Sequence, residues 1–211
     1  MPYFKNDKIN VLFIHIPKTG GSSIEQYFSI KYNIELDSKS LFGKRNNNLH
    51  KDIIINSSLQ HITFKEMITY KDAFNIDFNN IKIITSVRNP YMRIISDLFY
   101  LKLININTSK EEVYKVIQNY ISSNKLNNHN VPQYIFLTDD NLNINDNIII
   151  LKTETLTNDM ISLGYEDFDI IANQNSLKIN YYDYLNDKSL KLINNYYDFD
   201  FKIFNYDKII K

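Results

Sequence analysis

The sequence predicts an α/β protein with a mostly parallel central sheet and helices on both of its faces. Two strand-length apolar runs, residues 10–16 and 81–87, each end at a proline-bearing turn that leads into helical spacing. A third run, residues 147–151, is again followed by a helical pattern that stops at Gly164. Strands separated by helices need crossover connections, which favour parallel pairing. At 211 residues the chain suits one domain, 1–211, with a core of respectable size.

In chain order, Asn10 to Ile16 reads as a strand buried on both faces. Ser22 and Glu25 have the form of a capping box, and Ile24, Tyr27 and Phe28 then recur at the spacing of a buried helical stripe. Residues 41–58 are polar and Asn-rich and read as a loop facing an acceptor, and Phe64 to Tyr70 suggests a short helix. After the Ile81 to Val87 strand a helix runs from about Tyr91 to Leu101. Another follows from Ser109 to Ser122, opened by a Ser109/Glu112 capping box. Asn147 to Leu151 is the third strand, Thr155 to Leu163 a helix, and Lys188 to Phe204 a closing helix with Leu190, Ile193 and Tyr197 inward.

The most informative segment is Ile16-Pro17-Lys18-Thr19-Gly20-Gly21-Ser22-Ser23. Two glycines allow a tight turn and bring backbone N–H groups close to a ligand. The helix behind them adds unpaired N–H groups and a partial positive charge. An anion, phosphate or sulfate, belongs there. The common NTPase loop places its Lys after the second glycine, whereas Lys18 precedes both, so ATP or GTP is not the default ligand.

At the end of the second strand, Arg88 stands where open α/β sheets place ligands. Arg93 and Ser96 share a face of the following helix. A guanidinium and a hydroxyl make a second phosphate clamp. Asn89 and Arg93 read as structural, with Arg93 a candidate to pair with a carboxylate beneath the site.

Together the two segments resemble the signatures of the sulfotransferases that use 3′-phosphoadenosine 5′-phosphosulfate (PAPS), especially the carbohydrate branch. Ile16 to Ser23 is similar to that family's 5′-phosphosulfate motif, and Val87 to Phe99 to its 3′-phosphate motif. Weaker similarity covers Leu59 to Thr63, Lys152 to Asp159 and Tyr181 to Tyr206, so the resemblance spans roughly residues 9 to 208. A departure is Thr153, near where relatives often have an Arg.

The resemblance implies a P-loop-like, three-layer α/β/α sulfotransferase fold. It also implies transfer of a sulfuryl group from PAPS to a hydroxyl, most plausibly of a carbohydrate, without a metal. The cosubstrate would be held by Lys18, Thr19, Gly20, Gly21, Ser22, Ser23, Arg88 and Ser96, with Lys18 also catalytic. The base is taken from the histidines. His15 lies in a strand and reads as packed, and His129 lies in a polar connection far in sequence from both motifs. His61 falls between the motifs and is the chosen base, with a capping or surface imidazole as its bland alternative and His50 or Glu66 as replacements. Tyr181, Tyr182 and Tyr184 are candidates to stack on adenine or sugar, and residues 175–178 to close over the 3′-phosphate. The rival functions are an ATP-using phosphotransferase and a catalytically silent nucleotide-binding protein.

Twenty-four basic residues balance twenty-four acidic ones, which leaves no net field to attract nucleic acid. With no cysteine, disulfides, zinc–thiolate sites and cysteine catalysis are excluded. No run approaches the ~18 apolar residues of a membrane span, and the first residues lack a signal-peptide core, so a soluble or cytoplasmic protein is expected. The acceptor and the oligomeric state are not encoded in any motif.

Overall fold

The computed structural model describes residues 1–36, 55, 57–124, 126–139, 141–170 and 179–210. His50, most of the 41–58 stretch and the 175–178 turn lie outside them. The described residues form a four-stranded sheet in the order β1 (Tyr3–Asn6), β2 (Ile9–Ile14), β3 (Lys82–Val87) and β4 (Ile148–Lys152). β1 pairs antiparallel with β2, whereas β2–β3 and β3–β4 are parallel, in the register Leu12 with Ile83 and Thr85 with Ile150. The three expected strands are therefore adjacent and parallel. β1 is an addition, too short and too polar at Lys5 and Asn6 to stand out in the sequence.

The helices are α1 (Gly21–Tyr32), α2 (Phe64–Thr69), α3 (Pro90–Tyr100), α4 (Lys110–Ser122), α5 (Leu156–Ser162), α6 (Asp187–Tyr196) and α7 (Asp198–Ile203). Alternate residues of the inner strands feed opposite sides of the sheet. Val11, Phe13 and Ile84 pack with Ile24, Tyr27 and Phe28 of α1 and Met160 of α5. Leu12, Ile14 and Ile83 pack with Phe64 and Met67 of α2 and with Phe136. A further core joins α3, α4, α6 and α7 through Ile94, Leu98, Ile117 and Ile193. Each fully buried aliphatic or aromatic side chain contributes ~1.5–3 kcal/mol.

Several helix ends follow the sequence signals. Ser109 and Glu112 form their capping box, Pro90 occupies the first turn of α3 behind an Asn89 cap, and Gly164, at φ +88°, ends the segment after α5. Three expectations are corrected. Ser22 does not cap α1: the helix already begins at Gly21 behind a left-handed Gly20, with no side-chain cap, and Glu25 turns inward instead. Glu66 forms a capping box with Thr63, so its carboxylate is committed to the helix start. The closing helix is two helices, α6 and α7, broken at Tyr197; beyond the break, fully buried Asp200 accepts bonds from the backbone N–H groups of Gln133 and Tyr134. No helix among the described residues is long and apolar enough to cross a membrane.

Candidate functional site

The Lys18–Gly21 loop leaves the carboxyl end of β2, and Arg88 leaves the carboxyl end of the neighbouring β3. Parallel adjacency puts both at one edge of the sheet, the place where such sheets bind ligands. The turn is made by two left-handed residues, Lys18 at φ 67° and Gly20 at φ 86°. A non-glycine residue there is strained by about 1–3 kcal/mol, and such strain clusters at functional sites.

The loop is fixed from behind. The Thr19 side chain is fully buried; its hydroxyl donates to the Ile16 carbonyl at 2.8 Å and lies 3.0 Å from the Ser86 hydroxyl. That hydroxyl is thus spent on the scaffold, and the backbone is what Thr19 can offer an anion. Thr153, the departure from the resemblance, donates to the carbonyls of Thr19 and Val87 at 2.6 and 3.0 Å and so ties the two strand ends together. At Gly21 an added Cβ would lie 2.9 Å from both Cε1 and Nε2 of His15, so only glycine fits. Ser23 is buried, and Ser22 and Ser96 are half-buried.

Arg88 reaches this loop directly. Its Nη1 donates to the Lys18 carbonyl at 3.3 Å, its guanidinium lies over the Tyr181 ring at 5.3 Å, and its Nε is buried with no hydrogen-bond partner among the described residues. A buried donor without a partner is costly unless an acceptor satisfies it, and an anionic oxygen is the natural one. Arg88 is held in turn through its backbone: Gln133 accepts from its N–H and donates to its carbonyl, both at 2.8 Å, and Asp200 holds the Gln133 backbone.

Lys18 projects its ammonium over the ring of Tyr100, 4.0 Å from the centroid. Burial lowers its pKa; nearby Asp97 opposes that and Arg88 adds to it. A lysine so biased gives up its proton more readily than a free one.

The family model described as the sulfotransferase family matches residues 1–207. The chain belongs to the sulfotransferase family. No curated protein and no solved structure matches it.

In this sulfotransferase the histidines are not scattered. His61 is 6% exposed, on a short 3-10 turn (Leu59–His61), and its ring packs edge-on against His15 and His129 with centroids 5.3 and 4.9 Å apart. It is therefore neither a surface nor a helix-capping imidazole. His15 is packed as expected, its Nδ1 2.6 Å from Glu25 Oε1, with Gln60 donating to the other Glu25 oxygen at 2.8 Å. His129, by contrast, is remote only in sequence. Its Nδ1 lies 2.7 Å from Asp97 Oδ1 and its ring is stacked on Tyr100, the residue beneath Lys18.

The His61 pKa is pushed down to about 2, mainly by burial, with the His15 and His129 charges adding to it. Its Nδ1 lies 3.1 Å from the Asn127 carbonyl and 3.0 Å from the Asn127 side-chain amide, an acceptor and a donor that hold the ring from one side.

Arg93 is structural but pairs with no carboxylate among the described residues. It donates to the carbonyls of Pro17, Val131 and His129 at 3.0, 2.9 and 2.8 Å, which clasps the 129–131 segment to the loop. Of the tyrosines weighed for stacking, Tyr182 packs against Tyr91 and Tyr184 against Phe99, while Tyr181 alone faces a site residue, Arg88. Sequence reasoning missed Asp97, His129, Gln133 and Asp200. Asp97 had left one signal, a carboxylate one turn beyond Arg93 within an otherwise apolar helix face.

Proposed function

We propose that the protein transfers a sulfuryl group from PAPS to a hydroxyl, most plausibly of a carbohydrate, within a single domain of the P-loop-like, three-layer α/β/α kind. The observation that carries this reading is the direct contact of the two motifs: Arg88 bonds the Lys18 carbonyl and keeps a buried Nε donor to spare. One doubly phosphorylated adenosine can span two cationic groups placed so, with the 5′ end on the Lys18 to Ser23 segment and the 3′-phosphate on Arg88 and Ser96.

In the reaction the acceptor oxygen forms a bond to sulfur while the bond from sulfur to the bridging phosphate oxygen breaks, and adenosine 3′,5′-bisphosphate departs. Lys18 stabilises the charge that builds on the departing oxygen. His61 takes the hydroxyl proton, a role worth ~10²–10⁴-fold. The anionic cosubstrate raises the proton affinity of the imidazole.

Thermal shift separates this from its rivals. Adenosine 3′,5′-bisphosphate at ~100 times its Kd should add ~2.7 kcal/mol of stability, whereas stabilisation by ATP with Mg²⁺ instead would favour a phosphotransferase. Labelled sulfate transfer to a glycan panel excludes a silent binding protein. Lys18→Ala should lower turnover far more than bisphosphate binding, and Arg88→Ala the reverse. Wild-type behaviour of both variants would reject the site.

A further inference from the structure

The three described histidines form a row closed at each end by a carboxylate: Glu25–His15, then His61, then His129–Asp97. All five side chains are buried, and they come from five separate segments of the chain. His61, the middle ring, touches no carboxylate in this row; its Nδ1 side is taken by the carbonyl and the side-chain amide of Asn127, at 3.1 and 3.0 Å. Packing alone would be served by apolar rings. Two buried carboxylates, each spent on an imidazole that only flanks the middle one, are costly for packing and orient those flanks instead.

We propose that the Glu25–His15 and Asp97–His129 pairs are positioning residues that bracket His61, fixing the orientation of its ring in a single tautomer and so its action as a base. The inference rests on the sulfuryl-transfer reading only for what the base does; the bracket itself is independent of it. Each carboxylate faces Nδ1 of its histidine, which fixes how that ring turns its edge to His61. Each pair is braced from outside: Gln60 donates to Glu25 Oε2 at 2.8 Å, and Tyr120 donates to Asp97 Oδ2 at 2.6 Å. Gln60 precedes His61 on the same 3-10 turn, so the brace on Glu25 also sets where His61 stands.

The charged and titratable groups around His61 are these two pairs, Arg93 on α3, which donates to the His129 carbonyl, and, one ring further out, Tyr100 with Lys18 above it. Replacing Asp97 by Asn removes the carboxylate that orients His129, so the edge His129 presents to His61 is no longer fixed. Glu25→Gln acts in the same sense through His15.

The test follows the ring nitrogens of histidine by NMR in the ¹⁵N-His-labelled protein across pH 5 to 8, together with the pH profile of kcat. In the wild type, His61 is expected neutral and in a single tautomer over that range. In Asp97→Asn and Glu25→Gln the His61 ring-nitrogen signals should shift toward a mixture of the two tautomers, and kcat at neutral pH should fall roughly tenfold or more, short of the ~10²–10⁴-fold due to the base itself. Bisphosphate thermal shifts in both variants report that they fold. Unchanged His61 ring-nitrogen signals in folded Asp97→Asn and Glu25→Gln overturn the bracket, as does a mixture of tautomers in the wild type. Absence of sulfuryl transfer by the wild type fails the functional reading instead and leaves the NMR outcome decisive for the bracket. Should either carboxylate variant not fold, His129→Gln carries the same NMR readout with the same expected shift.

Discussion

Replacing Gly21 by Ala separates two opposing effects that the structure lets one weigh. Gly21 is the first residue of α1 and has ordinary helical backbone angles, so helix propensity favours alanine by up to ~1 kcal/mol, less in a first turn. Against that, the new methyl would lie 2.9 Å from two ring atoms of His15 and 3.0 Å from a third. That ring cannot retreat: Glu25 holds its Nδ1 at 2.6 Å, and Phe13 and His61 pack on it with centroids 5.7 and 5.3 Å away. Overpacking a fixed site costs ~1–3 kcal/mol, so the net loss should be about 1–2 kcal/mol. For a chain of this size that lowers Tm by roughly 3–6 °C. The same displacement opens the loop and should weaken adenosine 3′,5′-bisphosphate binding. Paired melting curves of Gly21→Ala in the wild-type and His15→Ala backgrounds check the cause, since removing the ring should abolish most of the penalty. A Gly21→Ala protein as stable as the wild type, or an equal loss in both backgrounds, would refute the steric argument.

The remaining expectations concern neighbouring contacts. His61, held neutral in the fold with its pKa near 2 but free to protonate near 6.5 when unfolded, leaves the unfolded chain with more bound protons below pH 6.5. The stability it permits above that pH is lost as pH falls, at up to ~1.4 kcal/mol per unit, and His61→Gln should flatten denaturant-derived stability between pH 6 and 4. Gln133→Leu strands the N–H and carbonyl of Arg88, so a loss of ~1–3 kcal/mol in chemical denaturation and a weaker bisphosphate thermal shift are expected. Arg93→Lys cannot reach three carbonyls with one ammonium and should destabilise by several kcal/mol, measured by urea unfolding. Gly164→Ala meets no atom within 4 Å and should cost only the ~1 kcal/mol of a left-handed backbone, with turnover unchanged.

The parallel trio of strands was legible because each is a strand-length, largely apolar run, and the tight turn between β2 and α1 because paired glycines at a strand-to-helix junction have few other uses. The misread cap at Ser22 shows the limit of local patterns: Glu25 had the right spacing, but His15, ten residues earlier, offers it a buried partner that a helix end cannot match. His129 was invisible as a site residue because its defining contact, Asp97, lies thirty-two positions away and becomes a neighbour only after α3 and the 126–131 segment dock. The break at Tyr197 likewise follows from a tertiary demand, the burial of Asp200 against the Gln133 backbone, that no helical periodicity records.

The Arg93 clasp carries a consequence for how this site can drift over generations. Its three acceptors are peptide oxygens, which every residue type supplies, so the side chains at positions 17 and 131 can change without loosening the grip, while His129 is tied separately by Asp97. The grip on that stretch therefore rests on a single codon, while positions 17 and 131 stay open to mutation toward new acceptors.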